Sequence, residues 1–347
     1  MPMKLWLKIV LGLLVIILFF VGRLLINSGF FREITPHFKG NMVKVEGFDG
    51  NEDATVDRKT GIALIASPAF NLDKNGAIFM LNLNEASPKP INLTTELPFS
   101  SFHPHGIYLY QSANGDKRLF VINHRNTGHY IEIFQFTDSS LVYLESIQNS
   151  LFISPNDIVA TGERQFYLTN DHDEPFSDWR AKKDILQIPM GNVCFYDGKN
   201  AKVVADEIMY ANGINKSNDG KSIFVASASG RKILVYDRNH QIEILTKSDE
   251  IAINGPDNID VDEAGNLWVG CHPKLLKFLA HSKEHSKISP SEIIKITYQG
   301  KGKAHLESIY LNNGSEISAS TVGVKYQDKL LIGSVFEKHI LLGQVGE

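Results

Sequence analysis

Side chains that can hold a metal ion or move a proton recur along this chain at intervals of about fifty residues. They are Glu52-Asp53, His105, Asn156-Asp157, Asn212, Asp257-Asn258 and Ser320-Thr321. Most of them offer oxygen, as carboxylates or amide carbonyls. Such a set suits a hard cation, and about six to eight oxygens at flexible angles suit Ca²⁺ better than Mg²⁺, which demands a strict octahedron. Zinc would call for His and Cys, and the only such neighbours are Cys271-His272. Adjacent residues on an extended chain point to opposite sides, so Glu52 and Asp53, or Asn156 and Asp157, can serve two cations at different depths. Asn and Asp are common in turns, and recurrence at matching positions is what sets these apart. Asp49-Gly-Asn-Glu-Asp53 lacks the alternating ligands and terminal Glu of an EF-hand loop.

Two histidines add proton chemistry. His105 lies in Phe102-His-Pro-His-Gly-Ile107 and His124 in Ile122-Asn-His-Arg125, on either side of an Asn114-Gly115 turn. On adjacent strands they stand side by side. One imidazole near a cation can take a proton from water while the other tunes or relays it. His103 reads as a surface or supporting residue, and the roles of His172 and His272 stay open. No G-x-S-x-G elbow, H-E-x-x-H helix, P-loop or G-x-G-x-x-G fingerprint is present.

The elements that must position these residues are strands. A turn with Gly or Asp, a few polar residues and an apolar run recur around Gly61, Gly115, Gly162, Gly220, Gly265 and Asp328, spaced 45 to 63 residues apart. Each reads as a tight hairpin, and the ligand-type residues precede them by about 5 to 10 positions. Residues 41–347 divide into six units of about 51, the period of four-stranded blades, so the expected fold is all-β, a six-bladed β-propeller. Innermost strands of successive blades then converge on one axis. No sustained helical periodicity follows residue 40, and Ser282-Lys-Glu-His285 reads as a polar loop. Two ordinary β-sandwiches would have to share one rhythm by coincidence.

The chain has 347 residues, 43% of them hydrophobic, so a sizeable core is available. A net charge of -4 with interspersed signs argues against a nucleic-acid partner. Two cysteines exclude a disulfide scaffold or a multi-cysteine metal site. Residues 9–22 are wholly apolar or Gly, and Leu5 to Phe31 is long enough to span a bilayer if Lys8 and Arg23 snorkel. No small-residue cleavage site follows, so residues 1–32 read as an uncleaved membrane anchor and 33–347 as the propeller. Lys4 and Lys8 favour a cytoplasmic N-terminus and an exported catalytic domain.

With these residues in order, the chain resembles the calcium-dependent paraoxonase/arylesterase family of lactonases over nearly all of residues 33–342. The resemblance is carried by Ser101-Phe-His-Pro-His-Gly-Ile107, Asn156-Asp-Ile-Val-Ala160, Phe166-Tyr-Leu-Thr-Asn-Asp-His172 and Ala211-Asn-Gly-Ile-Asn215. It continues through Asp257-Asn258, Leu267-Trp-Val-Gly-Cys-His-Pro273, Ser320-Thr-Val322 and Lys329-Leu-Leu-Ile-Gly333. It implies a propeller with two Ca²⁺ ions in its tunnel. The catalytic ion would be held by Glu52, Asn156, Asn212, Asp257 and Asn258. The structural ion would be held by Asp53, Asp157 and the backbone carbonyl of Ile107. His105 and His124 match the family's histidine dyad, with Asp171 and His272 as supporting polar residues. The implied activity is hydrolysis of lactones and aryl esters, with phosphotriesters as weaker substrates. A non-catalytic calcium-stapled propeller and a single-metal gluconolactonase-like hydrolase are the alternatives. The family's terminal disulfide has no counterpart here, which leaves closure to terminal strands sharing one blade. Cys271 matches the family's free thiol. The loop 67–73 and the segment 174–186 are shorter than the family's flap and rim helix, so substrate preference does not transfer.

Overall fold

The computed structural model describes residues 4–69, 73–137, 139–175 and 177–345. Its strands form six antiparallel sheets, five of four strands and one of five. The first strand of each sheet is Asp53–Asp57, Pro104–Gln111, Pro155–Ala160, Ala211–Lys216, Pro256–Val261 or Ser320–Tyr326. Each of these touches the first strand of the next sheet, and the last returns to the first, so they form a closed ring around an axis. The chain is a six-bladed β-propeller. All six turns read from the sequence join the first and second strands of a blade.

The physical reason lies in the period of two along each strand. Ile62, Leu64 and Ala66 pack against blade 2, through Ile107, Leu119 and Val121. The intervening Ala63 and Ile65 pack against blade 6, through Val322, Val324 and Leu331. A strand buried on both faces needs apolar residues at every position. The result is six hydrophobic clusters, one at each blade interface.

Closure uses no cysteine, since Cys194 and Cys271 are both free and buried. Met42–Glu46 instead pairs with His339–Gln344, from Met42 opposite Gly343 to Glu46 opposite His339. The N-terminal strand thereby completes the blade that the C-terminus builds. A second short strand, His37–Phe38, adds to the outer edge of blade 5.

The starts of the inner strands are bulged. Pairing registers shift between Pro104 and Ile107, Pro155 and Ile158, Ala211 and Ile214, Pro256 and Ile259, and Ser320 and Val322. A bulge sets two residues against one on the partner strand and re-aims their side chains. These bulges contain His105, Asn156-Asp157, Asn212, Asp257-Asn258 and Thr321. Strict alternation therefore does not govern the pairs in blades 3 and 5. Neighbouring inner strands approach so closely that two positions must be glycine. A Cβ on Gly106 would lie 2.5 Å from Asp157 Cα, and one on Gly213 would lie 2.4 Å from the Asp257 carbonyl oxygen.

Among the described residues three helices accompany the strands: Leu5–Asn27, Asp178–Ile185 and Leu275–Lys283. The last two were not legible as periodic segments, because eight or nine residues give barely two turns of pattern. Ser282 and Lys283 end the third helix rather than lying in a loop. The His285 ring stacks on Phe336, with centroids 4.7 Å apart. Both short helices follow the ends of second strands and sit on the face where the inner strands begin. Leu5–Asn27 reaches the same face, where the Leu275 amide donates to the Ser28 carbonyl at 2.9 Å. The six hairpins occupy the opposite face.

A Gly213→Ala substitution should force the inner strands of blades 4 and 5 apart. Overpacking of this kind costs about 1–3 kcal/mol. A calorimetric melting temperature below wild type is expected, and an unchanged one would contradict the close approach.

Candidate active site

The bulged ends bring the ligand-type residues together on the axis. Glu52, Asp53, Asn156, Asp157, Asn212, Asp257 and Asn258 are all buried. Burial raises the pKa of Glu52 well above the usual carboxylate range, and the charges of Asp257 and Asp157 add to it. Burial also raises Asp53, reinforced by Glu52, and raises Asp157, reinforced by Asp53. The seven residues thus form one electrostatic cluster drawn from four blades.

Two kinds of oxygen are distinguishable. Asp53 and Asp157 are tied to backbone amides. Asp53 accepts from Ile107 N–H at 2.8 Å and from Ala54 N–H at 2.8 Å. Asp157 accepts from Ile214 N–H at 2.7 Å and from Ile158 N–H at 2.7 Å. Each carboxylate therefore stitches its own inner strand to that of the next blade. At Ile107 the recorded contact with Asp53 is through N–H, and the side chain packs between blades 1 and 2.

The second kind has no partner. Glu52 Oε2, Asn156 Oδ1, Asn212 Oδ1 and Asn258 Oδ1 are buried with no hydrogen-bond donor. Leaving one such group unpaired costs about 1–3 kcal/mol. Four of them, all acceptors and all at the ends of inner strands, fit a cation. Among the described residues no three His, Cys, Asp or Glu side chains form a ready ligand group, so amide oxygens must complete any site. Other contacts hold these ligands in place. Asn258 Nδ2 donates to Glu52 Oε1 at 3.1 Å, and His272 Nε2 lies 2.8 Å from Asp257 Oδ2. His272 is itself clamped by a stack on Phe278, with centroids 3.9 Å apart. From blade 6, Thr321 donates its hydroxyl to the Glu52 carbonyl at 2.6 Å, so Ser320-Thr321 supplies support rather than a carboxylate.

Histidines run from this cluster toward the rim. His105 Nε2 is 3.5 Å from Glu52 Oε1. The His105 and His124 rings meet edge to face, with centroids 5.1 Å apart. His124 Nδ1 then lies 2.7 Å from His129 Nδ1. His129 was not identified from the sequence. The signal was a turn at Asn126-Thr127-Gly128, which sets His124 opposite His129 in the hairpin. Burial pushes His105 and His129 below the ordinary imidazole value and His124 well below it. All three are therefore neutral bases near pH 7. His103 is buried rather than superficial, with Nδ1 3.2 Å from the Pro68 carbonyl.

Asp171 belongs to a rim cluster. His172 Nδ1 and Arg180 Nη2 each lie 2.9 Å from Asp171 Oδ1, and Ser154 donates to the same oxygen. Burial opposes charge on His172, but Asp171 and Asp184 outweigh it and raise its pKa to about 9. This cluster fastens Asp178–Ile185 beside the channel. The loop 67–73 passes through residues 70–72, and the segment 174–186 through residue 176, which lie outside the described residues.

The six-bladed β-propeller thus carries an oxygen-lined axis beside a file of neutral histidines. The arylesterase family model matches residues 50–342, and the chain belongs to that family. It is 35% identical over 325 residues to human (Homo sapiens) serum paraoxonase/arylesterase 1, covering 88% of this chain and 90% of that protein. Rabbit (Oryctolagus cuniculus) serum paraoxonase/lactonase 3 is 35% identical, covering 92% of this chain and 94% of its own length. A luciferin-regenerating enzyme shares the fold at 16% identity and a TM-score of 0.57, covering 89% of this chain and 96% of its own.

The raised carboxylates set a pH dependence. Unfolded, these groups ionise near pH 4, whereas in the folded chain they resist ionisation. In EDTA their contribution to stability is greatest below pH 4 and is lost as pH climbs toward and through the raised values. Asp53→Asn removes one ionisable group from the buried cluster. It should raise the melting temperature in EDTA at neutral pH and shrink the gain that calcium confers. A variant that melts lower in EDTA and keeps the full calcium gain would contradict the like-charge cluster.

Proposed function

We propose that this chain is a calcium-dependent hydrolase that opens lactones and cleaves activated aryl esters, with phosphotriesters as weaker substrates. The observation that carries the reading is the set of four unpaired, buried oxygens beside a file of neutral histidines. The relatives named as arylesterase and lactonase support the same class of reaction. Glu52, Asn156, Asn212, Asp257 and Asn258 would hold a catalytic Ca²⁺. Asp53, Asp157 and the Ile107 carbonyl would hold a second, structural Ca²⁺. When bound, calcium supplies a Lewis acid for the substrate carbonyl.

The protein's own groups carry the proton. His105, kept neutral by burial, accepts a proton from water as the water oxygen bonds to the carbonyl carbon. The ring C–O bond then breaks, the proton passes to the departing alkoxide, and a hydroxy acid leaves. No serine acyl intermediate is needed. In the short contact we assign Nδ1 of His129 as the acceptor and Nδ1 of His124 as the donor. The other nitrogen of His124 then keeps its lone pair. His129 thus acts as a positioning residue that selects the tautomer of His124.

Residues 1–32 are proposed as a membrane anchor and 33–347 as the catalytic unit on the exported side. The helix Leu5–Asn27 has 23 residues with none buried, roughly 34 Å at 1.5 Å per residue, enough for a hydrocarbon core. Exposed Trp179, Leu186, Leu276 and Leu279 line the same face as the active site. Apolar lactones partitioned into a bilayer would meet the channel there.

Chelation with EDTA should abolish lactone turnover and Ca²⁺ should restore it, with two ions per chain by atomic emission. Activity that survives complete calcium removal would reject the metal role, and a calcium-loaded chain inert toward a lactone panel would mark a structural propeller. His105→Gln should lower kcat by about 10²-fold or more at unchanged calcium content. For His129, Leu should lower kcat about ten-fold at constant KM and displace the pH profile. Asn, whose Oδ1 replaces the Nδ1 acceptor, should restore both. Equal effects of Leu and Asn would reduce His129 to packing.

A further inference from the structure

A cavity of about 600 Å³ opens on the active-site face between the end of Leu5–Asn27 and blades 4 and 5. Four cationic side chains line it: Arg23, Arg32, Arg231 and Lys232. Two are neutralised. Arg32 grips Glu292 with two contacts of 2.6 Å, and Lys232 pairs with Glu250 at 2.8 Å. The other two have no acid among the described residues. Arg23 has no hydrogen-bond or ion-pair partner there at all. Arg231 is held by neutral amides. Its Nη1 donates to Asn27 Oδ1 at 3.1 Å and its Nε to Asn254 Oδ1 at 3.1 Å.

Arg231 is costly to keep in this state. It is partly buried, and its backbone is left-handed, with φ 56°. An L-residue with a bulky side chain rarely adopts that conformation without compensation. Burial lowers its pKa with no carboxylate to offset it. Amides satisfy some of the donors but leave the charge unbalanced in a concave site. A planar guanidinium with spare donors is the group best shaped to grip a phosphate.

The position of the cavity indicates where that anion comes from. Arg23 directly follows the apolar run 9–22 on a helix with none of its residues buried. If that run sits in hydrocarbon, the cavity mouth lies at the level of the lipid headgroups. We propose that this cavity binds the phosphodiester of an anionic phospholipid headgroup between Arg23 and Arg231. Bound there, the lipid ties the anchor to blade 4 and sets the tilt of the propeller against the membrane. The proposal requires the helix to lie in a bilayer. It does not require the hydrolase reading.

The full chain is purified in neutral detergent and exposed to phosphatidylglycerol, to phosphatidylcholine, or to inorganic phosphate alone. Bound ligand is counted by native mass spectrometry. Phosphatidylglycerol should be retained about ten-fold more strongly than phosphatidylcholine. Arg23→Gln combined with Arg231→Gln should erase that preference. Lys221→Gln, on the opposite face, should leave it intact. Arg23→Gln alone alters only an exposed helix position and should reduce the preference about three-fold. The melting temperature with Ca²⁺ serves as the folding control for every variant, so a failed hydrolase assay would not bear on the result. Equal retention of the two lipids overturns the proposal, as does a preference that survives in both variants. Binding of inorganic phosphate without a lipid preference assigns the cavity to a soluble anion and overturns it as well.

Discussion

Four carboxylates and three amide oxygens cannot share a dry axis without a compensating charge. Glu52, Asp53 and Asp157 raise one another's pKa, and burial raises all three. Ionised and uncompensated, such a cluster would push the inner strands apart. A divalent cation answers that repulsion, because it replaces lost solvation and draws oxygens from different blades to one point. The bulged strand starts and the glycines at 106 and 213 serve this constraint by letting backbone and side chains crowd the axis. A cation held there would belong to the ring as much as to the reaction.

The ring in turn explains the absence of disulfides. A propeller is closed when its last blade is shared by both ends of the chain. Here Met42–Glu46 provides that closure through backbone pairing, and Val45 joins the core between blades 6 and 1. The six interface clusters are nearly equivalent, so no single blade carries the fold. This leaves the active-site face free to vary. Its two short helices and rim cluster hang from the ends of second strands, and changes in them need not disturb the ring. The rim cluster of Asp171, His172, Arg180 and Asp184 shows how such a part is fastened, by charge on charge at the mouth rather than by apolar packing.

The two functional features differ in how they arise. The oxygen cluster is assembled from residues about fifty positions apart and depends on every blade being in register. The histidine file is more local, because His124 and His129 face each other across one hairpin and only His105 comes from a neighbouring strand. A local feature of this kind can change from one relative to another without loss of the fold. The same holds for the cationic cavity, whose two uncompensated arginines come from the anchor and from one turn of blade 4.

Much of the architecture was legible in the primary structure. Turn residues and apolar runs at a period of about fifty predict six hairpins, and the hairpins are where that period places them. The ligand-type residues were equally visible, because Asp, Glu and Asn just upstream of a buried strand are conspicuous. The short helices were not, since two turns of periodicity do not stand out from chance. His129 was hidden because its partner is set by hairpin register rather than by any motif. The unpaired state of Arg23 and Arg231 could not be read either, since a charge is uncompensated only with respect to its neighbours in space. The sequence by itself determined the period, the strand faces and the identity of the oxygen donors, because these depend on local chemistry and on alternation along one strand. Only the tertiary structure decided which oxygens remain without donors, how the bulges turn them and which imidazoles share a proton. Those properties depend on distances between strands that are far apart in the chain.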